Sequence, residues 1–469
     1  MINISGFKGW LETKTQYSKE TVRNILSRVK RADQILPWFN EEAYVYYLEQ
    51  TVAFQNLSCS VKSQIKKAVK YYFDYISFEN AVSSDNNPNT RNKALSLFAN
   101  IGVAEAYLES IGVNVVIANE FIERRANLYS KIYPNCHMIC GDITDSLVFE
   151  QIVSESISKE IDIIIATPPC QGMSTAGQQA ADDFRNTLIC PVISAIKRIQ
   201  PNYVFLENVP MFLNTSIYVD GEYILIPDLL DRELSNEYNI RKYVIDTADY
   251  SVPQTRDRAI ILMTRKNCGL REWLLPPKDL VRVTMKDAIG SIPSIDPYVT
   301  DISDDERRKL FPEYEEKKKR ALAISHWNMP PEHIYRQVIA MMHTPTGCTA
   351  FDNKKYYPKK EDGTPVKGYH NTYKRQNWDT AAYTVTMDNR KISSQNNVHP
   401  GRYLGKDENG DDIYSDARTL TLYEIMRIMS LPEDWPVPVN TSEAFLRRII
   451  GEGIPPLFVK KVFQNINKE

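Results

Sequence analysis

After residue 92, short apolar runs alternate with longer segments that mix apolar and polar residues. The runs include SLFANIG, NVVIANEF, IDIIIATPP, NYVFLENVP and RAIILMTR, and stretches with helical periodicity separate most of them. Strands that alternate with helices are typical of a largely parallel sheet with crossover helices on its faces. The pattern therefore predicts an α/β fold for this part of the chain.

The first 85 residues have a different, helical pattern. YSKETVRNILSRVKRADQILPWF carries apolar residues at helical spacing after a capping residue, Ser18 or Thr21. LSCSVKSQIKKAVKYYFDYIS is also amphipathic, and its lysines suit either phosphate contacts or the solvated face of a small bundle. The pattern loosely resembles the N-terminal helical domain of tyrosine recombinases. We predict a helical domain over residues 1–85, with DNA binding left open, and a linker in SSDNNPNTRN.

From about residue 268 the alternation gives way to proline, charge and irregular polar stretches, among them DDERRKLFPEYEEKKKR. We expect regular helix to return at residue 419 and again from 455 to the end. The whole chain of 469 residues is 43% hydrophobic and 25% charged, as in ordinary soluble proteins of two or three domains. Its net charge of -2 means that any nucleic-acid contact comes from a local basic face. The sequence has no apolar run that could span a bilayer and no signal-peptide core, which favours the cytoplasm.

The segment SLFANIGVAEAYLESIGVNVVIANEF predicts a strand, a tight turn, a helix and a second strand that ends in an acid. Asn100 and Gly102 lie in the turn, where left-handed backbone lets the chain approach a ligand closely. Glu120 follows at the spacing expected of an acid that reaches a ribose hydroxyl. Asp142 comes just after another candidate strand, so it would face the same crevice. The chain lacks a full G-x-G-x-x-G, which excludes a nicotinamide fingerprint.

Reactive side chains follow or precede three further apolar runs. They are Cys170 after IDIIIATPP, Glu207 and Asn208 at the end of NYVFLE, and Gln254, Arg256 and Arg258 before AIIL. A thiolate can add to an electron-poor ring, a carboxyl group can bond a ring nitrogen, and a guanidinium can hold a carbonyl oxygen. That combination suits a pyrimidine better than an ester or peptide, which would ask for a Cys-His pair. The alternative is a structural cysteine in a proline turn.

The ordered motifs resemble those of the DNA (cytosine-5) methyltransferases over residues 94 to 469. TPPCQGMS is similar to the family's Pro-Cys loop, ENV to its glutamate motif and QTRDR to its Gln-x-Arg-x-Arg motif. SLFANIG takes the place of the cofactor loop, and RTLTLYEIMRIMSLPEDW and GEGIPPLFVKKV that of the last two motifs. The resemblance implies a Rossmann-like sheet that uses S-adenosylmethionine, and a smaller irregular target-recognition domain.

The resemblance also implies roles by position. Cys170 would attack carbon-6 of a flipped cytosine, Glu207 would bond the ring nitrogen and amine, and Arg258 the 2-oxo group. Arg256, counted with these catalytic residues, and Gln254 would shape the pocket. The cofactor-binding residues would be Phe98, Asn100, Gly102, Glu120, Asp142 and Pro168. The substrate-binding residues would be Gln171, Asn208 and Gln254. Arg375 and Arg390 are candidate DNA contacts for a different reason, because Lys and Arg interleave with Tyr and Trp in their part of the chain, and a solvated loop fits that pattern equally well. No metal is implied.

The resemblance divides the chain into a catalytic domain over residues 92–268, a target-recognition domain over 269–400, and a return to the catalytic domain over 401–469. WDTAAYTVT is similar to the segment that links the target-recognition domain back to the catalytic core. Four positions depart from the family motifs. They are Ser96 for aspartate, Asn100 and Val103 for glycines, and Glu452 for asparagine.

We therefore expect a DNA cytosine-5 methyltransferase of a restriction-modification system, monomeric on duplex DNA and associated with the nucleoid when bound. A restriction endonuclease would be a genetic partner only. One alternative is an RNA cytosine methyltransferase, although the chain lacks the Cys-Phe-Thr signature expected after the glutamate motif. Another is a catalytically silent DNA-binding regulator, for which the altered cofactor loop argues weakly.

Overall fold

The computed structural model describes residues 2–12, 17–38, 44–85, 92–169 and 184–466. The chain forms two compact units, Met1–Arg91 and Asn92–Glu469. Within the described ranges, no helix is both long and apolar enough to cross a bilayer.

The first unit is helical, as predicted. Its described helices are α1 Ile4–Glu12, α2 Lys19–Ile35, α3 Tyr44–Gln50, α4 Val52–Gln55 and α5 Cys59–Asp85. Of the two capping residues considered, Ser18 is the N-cap of α2, because its hydroxyl accepts a hydrogen bond from the Thr21 backbone N–H. Val22, Ile25 and Val29 on α2 share a core with Tyr72 and Tyr75 on α5.

The second unit contains a seven-stranded sheet in its described residues, with the order β3-β2-β1-β4-β5-β9-β8. The first five strands are parallel, and β9 runs antiparallel to both β5 and β8. Their bounds are β1 Asn92–Leu97, β2 Val113–Glu120, β3 His137–Cys140, β4 Ile163–Ala166, β5 Tyr203–Asn208, β8 Tyr238–Asp246 and β9 Asp257–Arg265. The predicted α/β fold is confirmed.

Both faces of this sheet are buried. Alternate residues of each strand enter different cores: Leu95 and Leu206 lie in one, and Ala94 and Phe205 in the other. The helices that follow in this part of the chain are α6 Glu123–Ile132, α7 Ser146–Ser158, α8 Ile189–Ile199 and α9 Ile226–Leu234, and a hairpin joins β6 Ser216–Val219 to β7 Glu222–Leu225. Burial on both faces explains why the strands are nearly continuous apolar runs in the sequence.

The remaining elements are short. They are α10 Met285–Ile289, β10 Tyr298–Val299, α11 Asp304–Leu310, α12 Tyr314–Ile324, β11 Glu332–His333, α13 Tyr335–Met342, β12 Tyr403–Lys406, β13 Asp412–Tyr414, α14 Leu422–Ile428, α15 Glu443–Glu452 and α16 Pro456–Gln464. A separate small core that includes Val299, Met341, Ile392 and Ala417 gathers the irregular region. Helices α14 and α16 agree with the helix expected near residue 419 and after 455.

The expectation of irregular structure in DDERRKLFPEYEEKKKR is wrong. This stretch forms α11 and most of α12. Ser303 and Glu306 form a reciprocal capping box at the start of α11, and acids precede basic residues along the helix, as the helix dipole favours. Phe311, which follows α11, and Tyr314, the first residue of α12, are buried. The charges lie on solvated faces, so the charged sequence concealed two short helices.

Candidate active site

The predicted reactive groups of two neighbouring strands meet at one edge of the sheet. Strand β5 ends at Asn208, and its antiparallel neighbour β9 begins at Asp257, with Asn208 opposite Ala259. The end of one strand and the start of the other therefore coincide. Glu207 and Arg258 form an ion pair there, with 2.6 Å between Nε and Oε1 and only 12% of each side chain exposed. The guanidinium also donates to the Asp257 carbonyl at 2.7 Å.

Cys170 and Gln171 lie outside the described residues, but the two prolines before them are described. The Pro168 carbonyl accepts a hydrogen bond from the Asn208 carboxamide at 3.1 Å. One residue earlier, the Thr167 hydroxyl donates to the Phe98 carbonyl at 3.2 Å. The chain that leads to Cys170 is therefore attached on one side to the predicted cofactor loop and on the other to the end of β5.

The prediction that Asn208 contacts substrate stays a prediction, and the structure gives its side chain a positioning role. Its side chain is buried, and its carboxamide oxygen accepts from the Val209 N–H at 2.9 Å while its nitrogen holds Pro168. Both ends of the carboxamide therefore position the proline loop.

Gln254 and Arg256 are also buried and join distant parts of the second unit. The Gln254 carboxamide oxygen accepts from the Val385 N–H at 3.0 Å. Arg256 donates to the carbonyls of Val385 at 2.9 Å and Gly451 at 2.8 Å. Both side chains therefore position other segments of the chain, and the predictions that Gln254 binds substrate and that Arg256 takes part in catalysis stay predictions. The contacts place WDTAAYTVT against the QTRDR segment, next to Arg258.

Of the two predicted DNA contacts, only Arg390 is exposed, with 45% of its side chain accessible and an ion pair to Glu443 at 3.4 Å. Arg375 is fully buried and donates to four backbone carbonyls, those of Met341, His399, Ser415 and Asp416. Burial lowers its pKa to about 10. The prediction that Arg375 contacts DNA is therefore wrong, because its donors hold together the small core. Interleaved aromatic and basic residues hid this buried position in the sequence.

The predicted cofactor loop has the backbone that its residues suggested. Asn100 and Gly102 both have positive φ, 53° and 78°, and so does Phe98, at 58°. A Cβ at Gly102 would overlap the ring of Tyr133, whose hydroxyl donates to the Gly102 carbonyl at 2.5 Å. The loop therefore requires glycine at position 102 both for its φ and for the close aromatic contact beneath it.

Glu120 ends β2 directly beside this loop. Its carboxylate accepts from the backbone N–H groups of Asn100 at 2.9 Å and Ile122 at 2.8 Å, and burial raises its pKa. The Asn100 carboxamide oxygen is buried and has no hydrogen-bond donor among the described residues. These acceptors fit a ligand that supplies hydroxyl or amine donors, as an S-adenosyl compound does. Asp142 is exposed after β3, and its carboxylate accepts from Thr144 at 2.9 Å.

Glu105 was missed by the sequence reasoning. It is buried under the cofactor loop and bonded to the hydroxyls of Ser96 and Tyr129, and burial raises its pKa to about 7. Ser96 is the position at which the resembled motif has an aspartate. The missing acid at Ser96 was the sequence signal, because the Glu105 carboxylate, from the turns after the cofactor loop, bonds the Ser96 hydroxyl. These turns and a short 3-10 helix, Glu109–Ile111, take the place of the helix predicted between the two strands, so that prediction is wrong.

Comparison with known proteins agrees with this geometry. Residues 92–468 match the family of C-5 cytosine-specific DNA methylases. Type II methyltransferase M1.HgaI of Avibacterium volantium is 41% identical over 380 residues, 80% of this chain and 98% of the relative. Type II methyltransferase M.XorII of Xanthomonas oryzae is 25% identical and covers 81% of this chain and 85% of its own length. The first 91 residues lie outside the family match.

Two solved structures share the fold. A protein encoded within an Escherichia coli prophage, described as a DNA modification methyltransferase, has a TM-score of 0.52 at 18% identity and covers 80% of this chain and 98% of its own. A variant of Spodoptera frugiperda DNMT2 has a TM-score of 0.50 at 15% identity and covers 80% of this chain and 100% of its own. At these identities the likeness supports the architecture alone.

Proposed function

The chain belongs to the C-5 cytosine-specific DNA methylases and is a DNA cytosine-5 methyltransferase of the restriction-modification type, and we propose how its residues divide the reaction. The Glu207–Arg258 pair carries the proposal, because it lies at the strand edge to which the chain before Cys170 is attached. A carboxyl group and a guanidinium 2.6 Å apart match the ring nitrogen and the 2-oxo group of one cytosine.

In this proposal the Cys170 thiolate forms a bond to carbon-6 of the cytosine, which makes carbon-5 electron-rich. Glu207 bonds the ring nitrogen and the exocyclic amine, and Arg258 stabilises the charge that develops on the 2-oxo group. When bound, S-adenosylmethionine would supply the methyl group to carbon-5, and its sulfur would leave as the neutral thioether of S-adenosylhomocysteine. Loss of the carbon-5 proton to a base then lets the carbon-6–sulfur bond break, and Cys170 leaves as thiolate.

The family uses S-adenosylmethionine generally, and we assign its site here to Phe98, Asn100, Gly102, Glu120, Asp142 and Pro168. The Glu120 carboxylate and the buried Asn100 oxygen would accept the cofactor's hydroxyl or amine donors. The exposed Asp142 would accept from the adenine amine. Gln171, next to the nucleophile, would contact the substrate.

The substrate is a specific sequence in duplex DNA. A cytosine within the stack is out of reach of Cys170, so the base must flip out, at a cost of a few kcal/mol in stacking and pairing. We expect the protein to act as a monomer on DNA in the cytoplasm and at the nucleoid, with a restriction endonuclease as a genetic partner. The intact Glu207–Arg258 pair disfavours a silent regulator.

Covalent trapping tests this assignment. A duplex that carries 5-fluorocytosine at the target should form a stable adduct with the wild-type protein and S-adenosylmethionine, because fluorine blocks loss of the carbon-5 substituent. Cys170→Ser should form none, and bisulfite sequencing of ordinary duplexes should locate the methylated cytosine. Equal trapping by wild type and Cys170→Ser would refute the nucleophile.

A further inference from the structure

Two of the positions at which this chain departs from the family motifs are in contact. Asn100 stands in the cofactor loop where the motif has glycine, and Glu452 ends α15 where the closing motif has asparagine. The Asn100 carboxamide nitrogen donates to the Glu452 carboxylate at 3.4 Å, across 352 positions of sequence. Each departure therefore provides the partner of the other.

Arg125 completes the contact from α6. Its two terminal nitrogens bind the two carboxylate oxygens of Glu452, at 2.9 and 3.1 Å. This two-point geometry is the strong form of an arginine–carboxylate pair. Each of the two side chains is only 17% exposed, so water screens the pair less than it screens a surface ion pair.

The position of Arg125 within α6 is itself informative. Arg124 and Arg125 lie in the first turn of the helix, where the helix dipole disfavours positive charge. Both arginines make a favourable contact with α15. The Arg124 guanidinium lies 3.7 Å from the centre of the Phe445 ring, and Arg125 binds Glu452. The first turn of α6 is thus attached to α15 at two places.

The contact reaches the cofactor loop through one residue. The Asn100 backbone N–H donates to Glu120, its carboxamide nitrogen donates to Glu452, and its carboxamide oxygen is buried without a donor among the described residues. With a φ of 53°, Asn100 needs such anchors more than a glycine would, since left-handed backbone is strained for other residues. The side chain thus replaces glycine's freedom with a fixed position.

We propose that Asn100, Arg125 and Glu452 form a clamp that holds the cofactor loop in its binding conformation, with Glu452 as a positioning residue. The clamp leaves the Asn100 oxygen directed at a hydrogen-bond donor of the S-adenosyl compound. This inference rests on the proposed function, because it concerns the same cofactor site.

Calorimetric binding of S-adenosylhomocysteine to the full-length protein tests the clamp without DNA or turnover. Glu452→Gln removes the charge that Arg125 needs, and Asn100→Gly removes the link to the loop. Each substitution should weaken binding by about tenfold, and the double variant by much less than the product of the two, as expected of coupled residues. Glu150→Gln is the matched control, because it breaks an exposed ion pair with Arg198 on α8 and should leave binding unchanged.

A charge-reversed pair separates positioning from general damage to the fold. Arg125→Glu alone should weaken binding, and adding Glu452→Arg should recover part of it. The attraction between positions 125 and 452 is restored with opposite polarity, but the hydrogen bond from the Asn100 carboxamide is not, and Arg448, 3.8 Å from Glu452, then faces a like charge. In turnover assays Glu452→Gln should raise KM for S-adenosylmethionine with kcat within about twofold of wild type. The clamp would be overturned by any of three results. They are a double variant whose loss of affinity equals the product of the two single losses, no recovery of binding in the charge-reversed pair, and equal affinity in all variants.

The clamp and the proposed function can be tested separately. A wild-type protein that binds S-adenosylhomocysteine with the predicted coupling but methylates no duplex would keep the clamp and remove the catalytic proposal. A wild-type protein that binds no S-adenosyl compound would overturn both.

Discussion

The Arg258 guanidinium binds the Glu207 carboxylate at 2.6 Å, across the boundary between a parallel strand and its antiparallel neighbour. This pairing neutralises a buried carboxylate that would otherwise lack a counter-ion. In the proposed reaction a cytosine would compete with the ion pair, since the carboxylate and the guanidinium would each exchange the other for the base. The pair therefore keeps the two groups together and positioned before substrate arrives.

Glu207→Gln should lower kcat by roughly 10²- to 10⁴-fold, the usual contribution of a positioned acid or base. The amide keeps the size of the side chain, but it has no negative charge and cannot exchange a proton with the cytosine ring as a carboxyl group can. Duplex affinity, measured by fluorescence anisotropy, should change little because most of it comes from phosphate contacts. Unaltered turnover would place the acid elsewhere.

Gly102→Ala should weaken cofactor binding and destabilise the protein more than Gly112→Ala does. Both glycines have positive φ, 78° and 81°, so the backbone strain is matched. Only at Gly102 would the added Cβ overlap another side chain, the ring of Tyr133, while the space at Gly112 is open. The difference between the variants should be about 1–3 kcal/mol in the free energy of unfolding, measured in urea. Equal losses would mean that Tyr133 moves aside freely.

Arg375→Met should lower the free energy of unfolding by about 3 kcal/mol or more, because four buried carbonyls lose their donor. Arg390→Gln should leave stability nearly unchanged. If Arg390 binds a phosphate, its loss should reduce the slope of log affinity against log salt by about 0.9. A salt slope equal to that of wild type would remove Arg390 from the DNA interface, and a stable Arg375→Met protein would contradict its structural role.

Glu105 should make stability depend on pH. Because burial raises its pKa from 4.5 to about 7, the folded protein keeps a proton that the unfolded chain has released in this interval. Its contribution to stability is therefore fully present below pH 4.5 and is lost as the pH rises to about 7. Relative to wild type, Glu105→Gln should gain about 1–3 kcal/mol between pH 5 and pH 8, measured by thermal unfolding. Glu109 is exposed, so the stability of Glu109→Gln should change with pH as that of wild type does. If the stability of Glu105→Gln also changed with pH as wild type does, Glu105 would not be the group with the raised pKa.

The sequence by itself determined the sheet and the identities of the groups at its edge. Its apolar runs are long enough, and separated by enough helix, to specify parallel strands, and the left-handed turn followed from Asn100 and Gly102. The order of the motifs indicated the chemistry. Each motif follows or precedes a strand, and the rules of sheet topology restrict which strands can be neighbours, so the motifs are expected at one edge of the sheet.

Only the tertiary structure decided which polar side chains face a ligand and which are used inside the protein. Arg375, Arg256, Gln254 and Asn208 have the residue types of a binding site, yet their donors and acceptors satisfy buried backbone groups. Spacing along the chain cannot reveal this, because the partner carbonyls come from segments far away in sequence. For the same reason the sequence could not reveal the contact between Asn100 and Glu452, which depends on how α15 packs near the cofactor loop.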